Sequence, residues 1–348
     1  MKTLVLTGGG SAGHVSPNLA LLPELKRRYA LAYIGTDGIE RGMLAGAGVP
    51  YYTIACPKLV RGALLKNVNL PFRFAAAVRQ AKRALRDAHA DGVFCAGGYV
   101  SLPVAVAAGR LGLPVVSHES DSTAGLANRL IARRAAAMTA SFSAAAKKLK
   151  HGVHTGAPLR RELFGADRGA ALQKYGFGGE KPVLLVFGGG SGSAALNAAV
   201  RGALDALLRA YDVLHICGKT TQYPRQRGYA PLPFEKDMAA AYAAANFVLA
   251  RAGANTLFEA CALQKPALVV PLENKRSRGD QAKNAALFAE KHLVRVLPER
   301  ELCADALPAQ LAALAADTRL RAALAAAPPL CGNEAILAVI GKAMQTHT

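Results

Sequence analysis

The chain contains no tryptophan, and its 23 Asp and Glu residues are outnumbered by 43 Lys and Arg, giving a formal net charge of +20. Without Trp, and without aromatic side chains interleaved among the basic ones, the stacking platform that RNA-binding surfaces use is missing, so nucleic acid is excluded as the expected partner. The scarcity of acids still favours an anion, either a phosphorylated substrate or an acidic membrane face. The excess is uneven: 20 Lys and Arg face 7 Asp and Glu over residues 1–156, and 23 face 16 over the rest. Six cysteines (56, 95, 217, 261, 303 and 331) are scattered with no C-x-x-C pair. That argues against zinc and for a reduced, cytosolic setting. No apolar run is long enough to span a membrane, the best candidate, Leu102–Val116, being broken by Arg110. Lys2 leads directly into a strand and then glycines, unlike a signal peptide. D-x-D is absent, so no carboxylate pair stands ready for a metal on a diphosphate, and no cofactor is called for. A leaving diphosphate would rest on backbone amides, helix dipoles and an arginine. A P-loop is absent, and G-x-S-x-G fails at Gly189–Ser193, so neither a P-loop nucleotidase nor an α/β-hydrolase is supported.

What is present is organised around Leu4–Ala20, LVLTGGGSAGHVSPNLA. Leu4–Thr7 reads as a short buried strand, and three glycines follow where a backbone without Cβ can lie against a ligand. Ser16 offers an N-cap oxygen and Pro17 suits the first helical position. Strand, glycine loop and helix start together favour an anion, and His14 sits inside the turn. The loop also fits G-x-G-x-x-G through Gly8, Gly10 and Gly13, so a dinucleotide fold is a competing reading. That reading needs an acid at the end of the second strand, here Leu31–Ile34, where the nearest is Asp37.

Apolar strands at 93–95, 114–117, 183–187, 213–216, 247–250 and 267–270 alternate with Ala- and Leu-rich helical stretches. This predicts parallel sheets with helices on both faces, and function at the carboxyl ends of the strands. Leu4-Val-Leu-Thr-Gly-Gly-Gly-Ser returns as Leu184-Leu-Val-Phe-Gly-Gly-Gly-Ser. Two α/β domains of one architecture follow, 1–156 and 157–332, with the boundary near Gly156-Ala-Pro158 and the helix at 333–348 packing back on the first. A ligand is expected in the crevice between two such domains. Between Leu59 and Lys82, apolar Leu64, Leu65, Val68, Leu70, Phe72 and Phe74 alternate with Arg61, Lys66, Arg73 and Arg79. Such a surface can dock on an anionic bilayer, and it also suits an ordinary loop and helix packed on the sheet.

Further loops stand at expected strand ends. Gly97, Gly98 and Tyr99 make a second glycine turn, and His118-Glu119-Ser120-Asp121 precedes a helix over 126–134. Arg251-Ala-Gly-Ala-Asn-Thr256 leads into another helix. Thr256-Leu-Phe-Glu259 also fits a capping box, in which Glu259 bonds the helix's own first amides. A carboxylate there would otherwise take two vicinal ribose hydroxyls. Gln281 and Asn284 share one helix face, suiting sugar hydroxyls or a solvated face capped by Asp280.

These segments, with A-G-L-A-N-R at 124–129, G-A-P-L-R at 156–160 and G-G-G-S-G-S at 188–193, run in order over nearly the whole chain and resemble the MurG family. The resemblance implies a GT-B fold of two Rossmann-like domains whose parallel sheets face across a cleft. It also implies metal-independent inverting transfer of GlcNAc from UDP-GlcNAc to the muramoyl 4-hydroxyl of lipid I, giving lipid II at the cytoplasmic face of the bacterial plasma membrane. Ser11, Ala12 and Gly13 match the family's first glycine loop, and His14 its motif histidine, the candidate base; a neutral imidazole suits that task. Arg160 matches the nucleotide-contacting arginine, and Ala254, Asn255 and Thr256 would offer amides to the diphosphate. Glu259 matches the ribose carboxylate, and Gln281 and Asn284 the residues that read GlcNAc. In the more familiar form of the family, Gly190 and Ser191 are serine and glutamine, so a hydroxyl contact is lost or shifts to Ser191. Ser120 and Asp121 replace a glutamine and an asparagine, placing a carboxylate where pyrophosphate would need a compensating cation. The family's aromatic membrane residues are partly replaced. Rival readings are another GT-B lipid glycosyltransferase, a UDP-GlcNAc epimerase, and a non-catalytic nucleotide-binding protein.

Overall fold

The computed structural model describes residues 1–58, 67–190, 192–218, 223–273 and 279–346. The chain divides into two compact units, Met1–Arg160 with Cys331–Thr348, and Arg161–Leu330. The crossover thus falls after Arg160 rather than at Gly156, so Arg160 is the last residue of the first unit.

In the first unit, β1 (Thr3–Thr7), β2 (Ala30–Gly35), β3 (Tyr51–Thr53), β4 (Gly92–Cys95), β5 (Val115–Glu119), β6 (Ala137–Ala140) and β7 (Gly152–His154) form one sheet in the order β3-β2-β1-β4-β5-β6-β7. Every neighbouring pair is parallel. Central strands such as β4 and β5 are buried along their whole length, as expected where helices cover both faces and both sets of alternating side chains must be apolar. Helices Leu70–Asp87 and Ser101–Arg110 cover one face through Val78, Ala81, Leu85, Val104 and Ala108. Helix Ser16–Arg28 covers the other, beside helix Asn333–Gln345, whose Ile336, Leu337, Ile340, Ala343 and Met344 pack with Leu21, Leu25 and Phe94. Asn333 ties this returning segment to the chain that leaves the unit: its side chain accepts from Leu159 N–H at 2.9 Å and donates to Leu159 C=O at 2.8 Å. Asn333→Ala would leave two backbone groups without their partner and should cost about 2–3 kcal/mol, measurable by urea unfolding.

The second unit repeats the plan with β8 (Val183–Phe187), β9 (Asp212–Ile216), β10 (Tyr229–Leu232), β11 (Phe247–Arg251), β12 (Ala267–Val270) and β13 (Arg295–Val296), ordered β10-β9-β8-β11-β12-β13 and all parallel. Successive strands are added outward in one direction up to β3 and β10 and in the other from β4 and β11, so the strand order switches between β1 and β4 in one sheet and between β8 and β11 in the other. The crevice outside the carboxyl ends at such a point is where doubly wound folds bind ligands.

Two local expectations are corrected. Ser16 is not an N-cap: it is the first residue of its helix, behind Val15, and its hydroxyl donates back to Ala12 C=O at 3.0 Å. The helix expected over 126–134 is shorter, Leu126–Ile131. Val68 and Phe72 are exposed, whereas Phe74 packs partly on the core of the first unit; residues 59–66 of that stretch lie outside the described residues. Among the described residues no helix is long and apolar enough to cross a membrane.

Among the described residues each unit buries one histidine. His118 lies between the Thr139 and Ser141 hydroxyls, both at 3.0 Å, and burial pushes its pKa down to about 3. His215 lies between Tyr229 Oη and Asn197 Oδ1, both at 3.0 Å, and burial, helped by the charge of Arg201, pushes it down to about 4. The unfolded chain takes up these protons below about pH 6.5 while the folded chain refuses them. Stability should therefore be full above that pH and fall as pH drops through this window, by about 1.4 kcal/mol per unit for each histidine. Urea unfolding at pH 7 and pH 5 tests this, and His118→Gln should flatten the slope in the first unit.

Candidate functional site

In the first unit the switch point brings together loops that the sequence singled out separately. β1 is buried and delivers Gly8 to the sheet edge, where Tyr33 Oη donates to Gly8 C=O at 2.6 Å. Gly10 has φ +81° and lies so close to the Tyr99 ring that a Cβ there would fall 2.3 Å from it. Ser11 then opens a 3-10 turn over Ala12–His14, and its hydroxyl meets His14 Nδ1 at 2.8 Å. The His14 ring rests over the second glycine turn: a Cβ on Gly97 would come within 3.1 Å of His14 Cδ2, and one on Gly98 within 3.2 Å of Cγ and 2.3 Å of Gly9 C=O. Ser11, His14, Gly97, Gly98 and Tyr99 therefore form one cluster because β1 and β4 are neighbours.

Asn128 borders this cluster and anchors the third loop. It donates to His118 C=O at 3.0 Å and to Glu119 Oε2 at 2.9 Å, and accepts from Ser117 Oγ at 3.0 Å. Glu119 also receives the N–H groups of Asp121 and Gly125, each at 3.0 Å. Burial raises its pKa and the Asp121 charge adds to this, while the three hydrogen bonds oppose it. Asp121 is half-buried at the bend. His118 points into the sheet and serves structure.

In the second unit, Gly190 is exposed and Ser191 lies outside the described residues. Ser193 caps helix Ala194–Gly202 and also accepts from Arg251 Nε at 3.0 Å. Arg251, at the end of β11, donates further to Val270 C=O, Pro271 C=O and Glu299. Gly253 is the N-cap of helix Ala254–Ala262 and brings no side chain to it, so the first turn is formed by Ala254, Asn255 and Thr256. The capping box is thus not formed: Thr256 is inside the helix, and Glu259, one turn on, accepts from Tyr242 Oη at 3.2 Å. Asp280 is likewise inside its helix behind Gly279. Gln281 accepts from Leu272 N–H at 2.9 Å, and Asn284 is wholly buried, so this helix face is not a solvated one. Arg160 is half-buried.

Sequence reasoning missed Glu40, Tyr33, Tyr242 and the Arg251–Glu299 pair. The nearest acid after the second strand, Asp37, is exposed and pairs with Arg41. The carboxylate that reaches the glycine loop is Glu40, with no exposed surface, accepting from Gly10 N–H at 3.2 Å. A carboxylate of the chain itself thus occupies the Gly10 amide, which counts against the dinucleotide reading of this loop.

Two doubly wound parallel units are the architecture of the GT-B fold class. Residues 4–140 match the glycosyltransferase family 28 N-terminal domain and 183–333 its C-terminal domain. A UDP-N-acetylglucosamine--N-acetylmuramyl-(pentapeptide) pyrophosphoryl-undecaprenol N-acetylglucosamine transferase of Lachnospira eligens is 43% identical, covering 91% of this chain and 92% of its own. One bearing the same name from Clostridium kluyveri is 43% identical over 87% and 88%. The crystal structure of Acinetobacter baumannii MurG has the same fold, with a TM-score of 0.72 at 24% identity over 98% and 99% of the two chains. The chain belongs to glycosyltransferase family 28 and, within it, to the MurG family.

Proposed function

We propose that this chain transfers N-acetylglucosamine from UDP-GlcNAc to the muramoyl 4-hydroxyl of lipid I, making lipid II for peptidoglycan, with inversion and without a metal. The observation that carries the reading is 43% identity, over nine-tenths of both chains, to a transferase named for this reaction. The first-unit cluster supports it with a histidine held for proton transfer. If Ser11 Oγ accepts from Nδ1–H, His14 Nε2 carries the lone pair and faces the acceptor. As the 4-oxygen attacks the anomeric carbon, Nε2 takes its proton, the bond from that carbon to the diphosphate breaks, and UDP leaves with the electron pair. The first-turn amides of Ala254–Thr256 and the Arg160 guanidinium receive the developing diphosphate charge. Gly190 belongs to the second glycine loop, and Glu259 takes the ribose hydroxyls. Gln281 has already given its carbonyl oxygen to Leu272, so its NH2 is the group left for a sugar hydroxyl, with Asn284 buried one turn on. Gly97, Gly98, Tyr99 and Asp121 border the acceptor. Exposed Val68 and Phe72 beside Arg73 suit docking on the anionic inner face of the plasma membrane.

UDP release from UDP-GlcNAc, with and without a lipid I analogue and in EDTA, tests the reading. Acceptor-dependent release that survives EDTA is expected. Release without acceptor, or none at all, would move the assignment to an epimerase or a binding protein.

A further inference from the structure

Beneath the first glycine loop lies a polar layer that the proposed chemistry does not use. Glu40 is completely buried in the short helix Ile39–Met43. Its Oε2 accepts from Gly10 N–H at 3.2 Å, and its Oε1 accepts from Thr36 N–H at 3.0 Å and from the Thr36 hydroxyl. The fit is tight, since a Cβ on Gly9 would stand 2.6 Å from the carboxylate. The Tyr51 hydroxyl donates to Thr36 C=O at 2.5 Å, and the Tyr51 ring stacks on Tyr33 at 5.5 Å. Tyr33 in turn donates to Gly8 C=O. Both ends of the Gly8–Gly10 turn are therefore gripped from below, the carbonyl by Tyr33 and the amide by Glu40.

Removing a carboxylate from water costs several kcal/mol unless donors replace the water. Here three donors do so, and one of them is the loop's own amide, the group such loops otherwise turn toward a ligand's phosphate. We infer that Glu40 is a positioning and specificity residue: its carboxylate serves as the first loop's internal anion, holding the turn so that His14 keeps its place over Gly97 and Gly98. It also denies Gly10 N–H to an external phosphate, so that only the turn from Ser11 onward is open to a ligand. The link to transfer rests on the function proposed above; the link to loop geometry does not.

The experiment therefore has two arms on the full chain. In the first, kinetics with UDP-GlcNAc and a lipid I analogue are compared for wild type, Glu40→Ala and Glu40→Gln. A misplacement on the order of 1 Å costs about 10²-fold, so kcat of Glu40→Ala should fall by about that factor while the UDP-GlcNAc KM is unchanged, because the donor residues other than Arg160 lie in the other unit. Glu40→Gln keeps one acceptor oxygen and should recover part of the loss. In the second arm, amide hydrogen exchange of the peptide spanning residues 8–14 should quicken by about tenfold or more in Glu40→Ala, with the β5 and β6 peptides unchanged. Thr36→Val, which removes one donor and leaves the other two, serves where the alanine variant does not fold, and should show the same pattern more weakly. Unchanged exchange at 8–14, or a kcat within threefold of wild type, overturns the inference. A parallel rise in exchange across the unit with loss of donor affinity also overturns it, as a merely structural role. A wild type that transfers nothing defeats the proposed function and leaves the exchange arm to decide this one.

Discussion

His14→Ala should lower kcat by about 10²–10⁴-fold, the usual contribution of a positioned general base, while leaving the UDP-GlcNAc KM and UDP affinity unchanged. The separation follows from the chain's division: His14 belongs to the first unit, and Ala254–Thr256, Glu259 and Gln281 to the second. The ring is held by contacts that do not involve the donor. Ser11 Oγ meets Nδ1 at 2.8 Å, and the flat backbone of Gly97–Gly98 lies beneath the ring. Ser11→Ala frees the tautomer without removing the base, so a smaller loss, about tenfold, is expected. The acid limb of the pH–rate profile should be present in wild type and absent from the residual activity of His14→Ala. If kcat stays within threefold of wild type, the proton goes elsewhere and His14 only supports the loop. Gly98→Ala supplies the complementary case, because a Cβ 2.3 Å from Gly9 C=O would push apart the two loops that seat the imidazole while the base itself remains.

The sheets were the most legible part of the sequence. β8 and β12 match the expected ranges residue for residue, because a parallel strand covered on both faces is an unbroken apolar run, here opened by proline and ended by Gly188 or Pro271. Helix starts were less so. Ser16 and Thr256 have good capping chemistry, but the helices begin at Ser16 itself and at Ala254, behind Val15 and Gly253. Capping preferences of a few tenths to about 1 kcal/mol yield to the geometry with which each strand delivers the chain. The site was legible as motifs and not as contacts. Nothing in Gly35-Thr-Asp-Gly-Ile-Glu40 says which acid turns inward; that depends on Gly9 and Gly35 being close enough to pack against the carboxylate. Ser191, one of the two departures in the second glycine loop, lies outside the described residues.

Arg251→Ala should be the most destabilising single change in the second unit. The Arg251 and Glu299 side chains are only 10% and 21% exposed. The guanidinium joins four partners: the Ser193 hydroxyl at 3.0 Å, Val270 C=O at 3.3 Å, Pro271 C=O at 3.4 Å and the Glu299 carboxylate. Truncation strands a mostly buried carboxylate whose one remaining donor among these contacts is Glu273 N–H at 2.9 Å. Breaking a buried pair this way costs about 3–5 kcal/mol, or about 6–20 °C in the melting of a unit this size. Arg251→Lys should rescue little, since one ammonium cannot span acceptors on three segments. Burial alone would raise the Glu299 pKa, but Glu273 N–H and the hydrogen bond and charge of Arg251 together hold it below its ordinary value. The pair's contribution is therefore present above the unfolded carboxyl pKa, about 4.3, and is lost as pH falls below it. Wild type and Arg251→Ala should thus melt further apart at pH 7 than at pH 3. Donor affinity should fall with stability, because Ser193 caps the helix that follows the second glycine loop. Should melting shift by less than about 2 °C with donor affinity intact, the ends of β11 and β12 are held by their backbone ladder and Arg251 is dispensable to both.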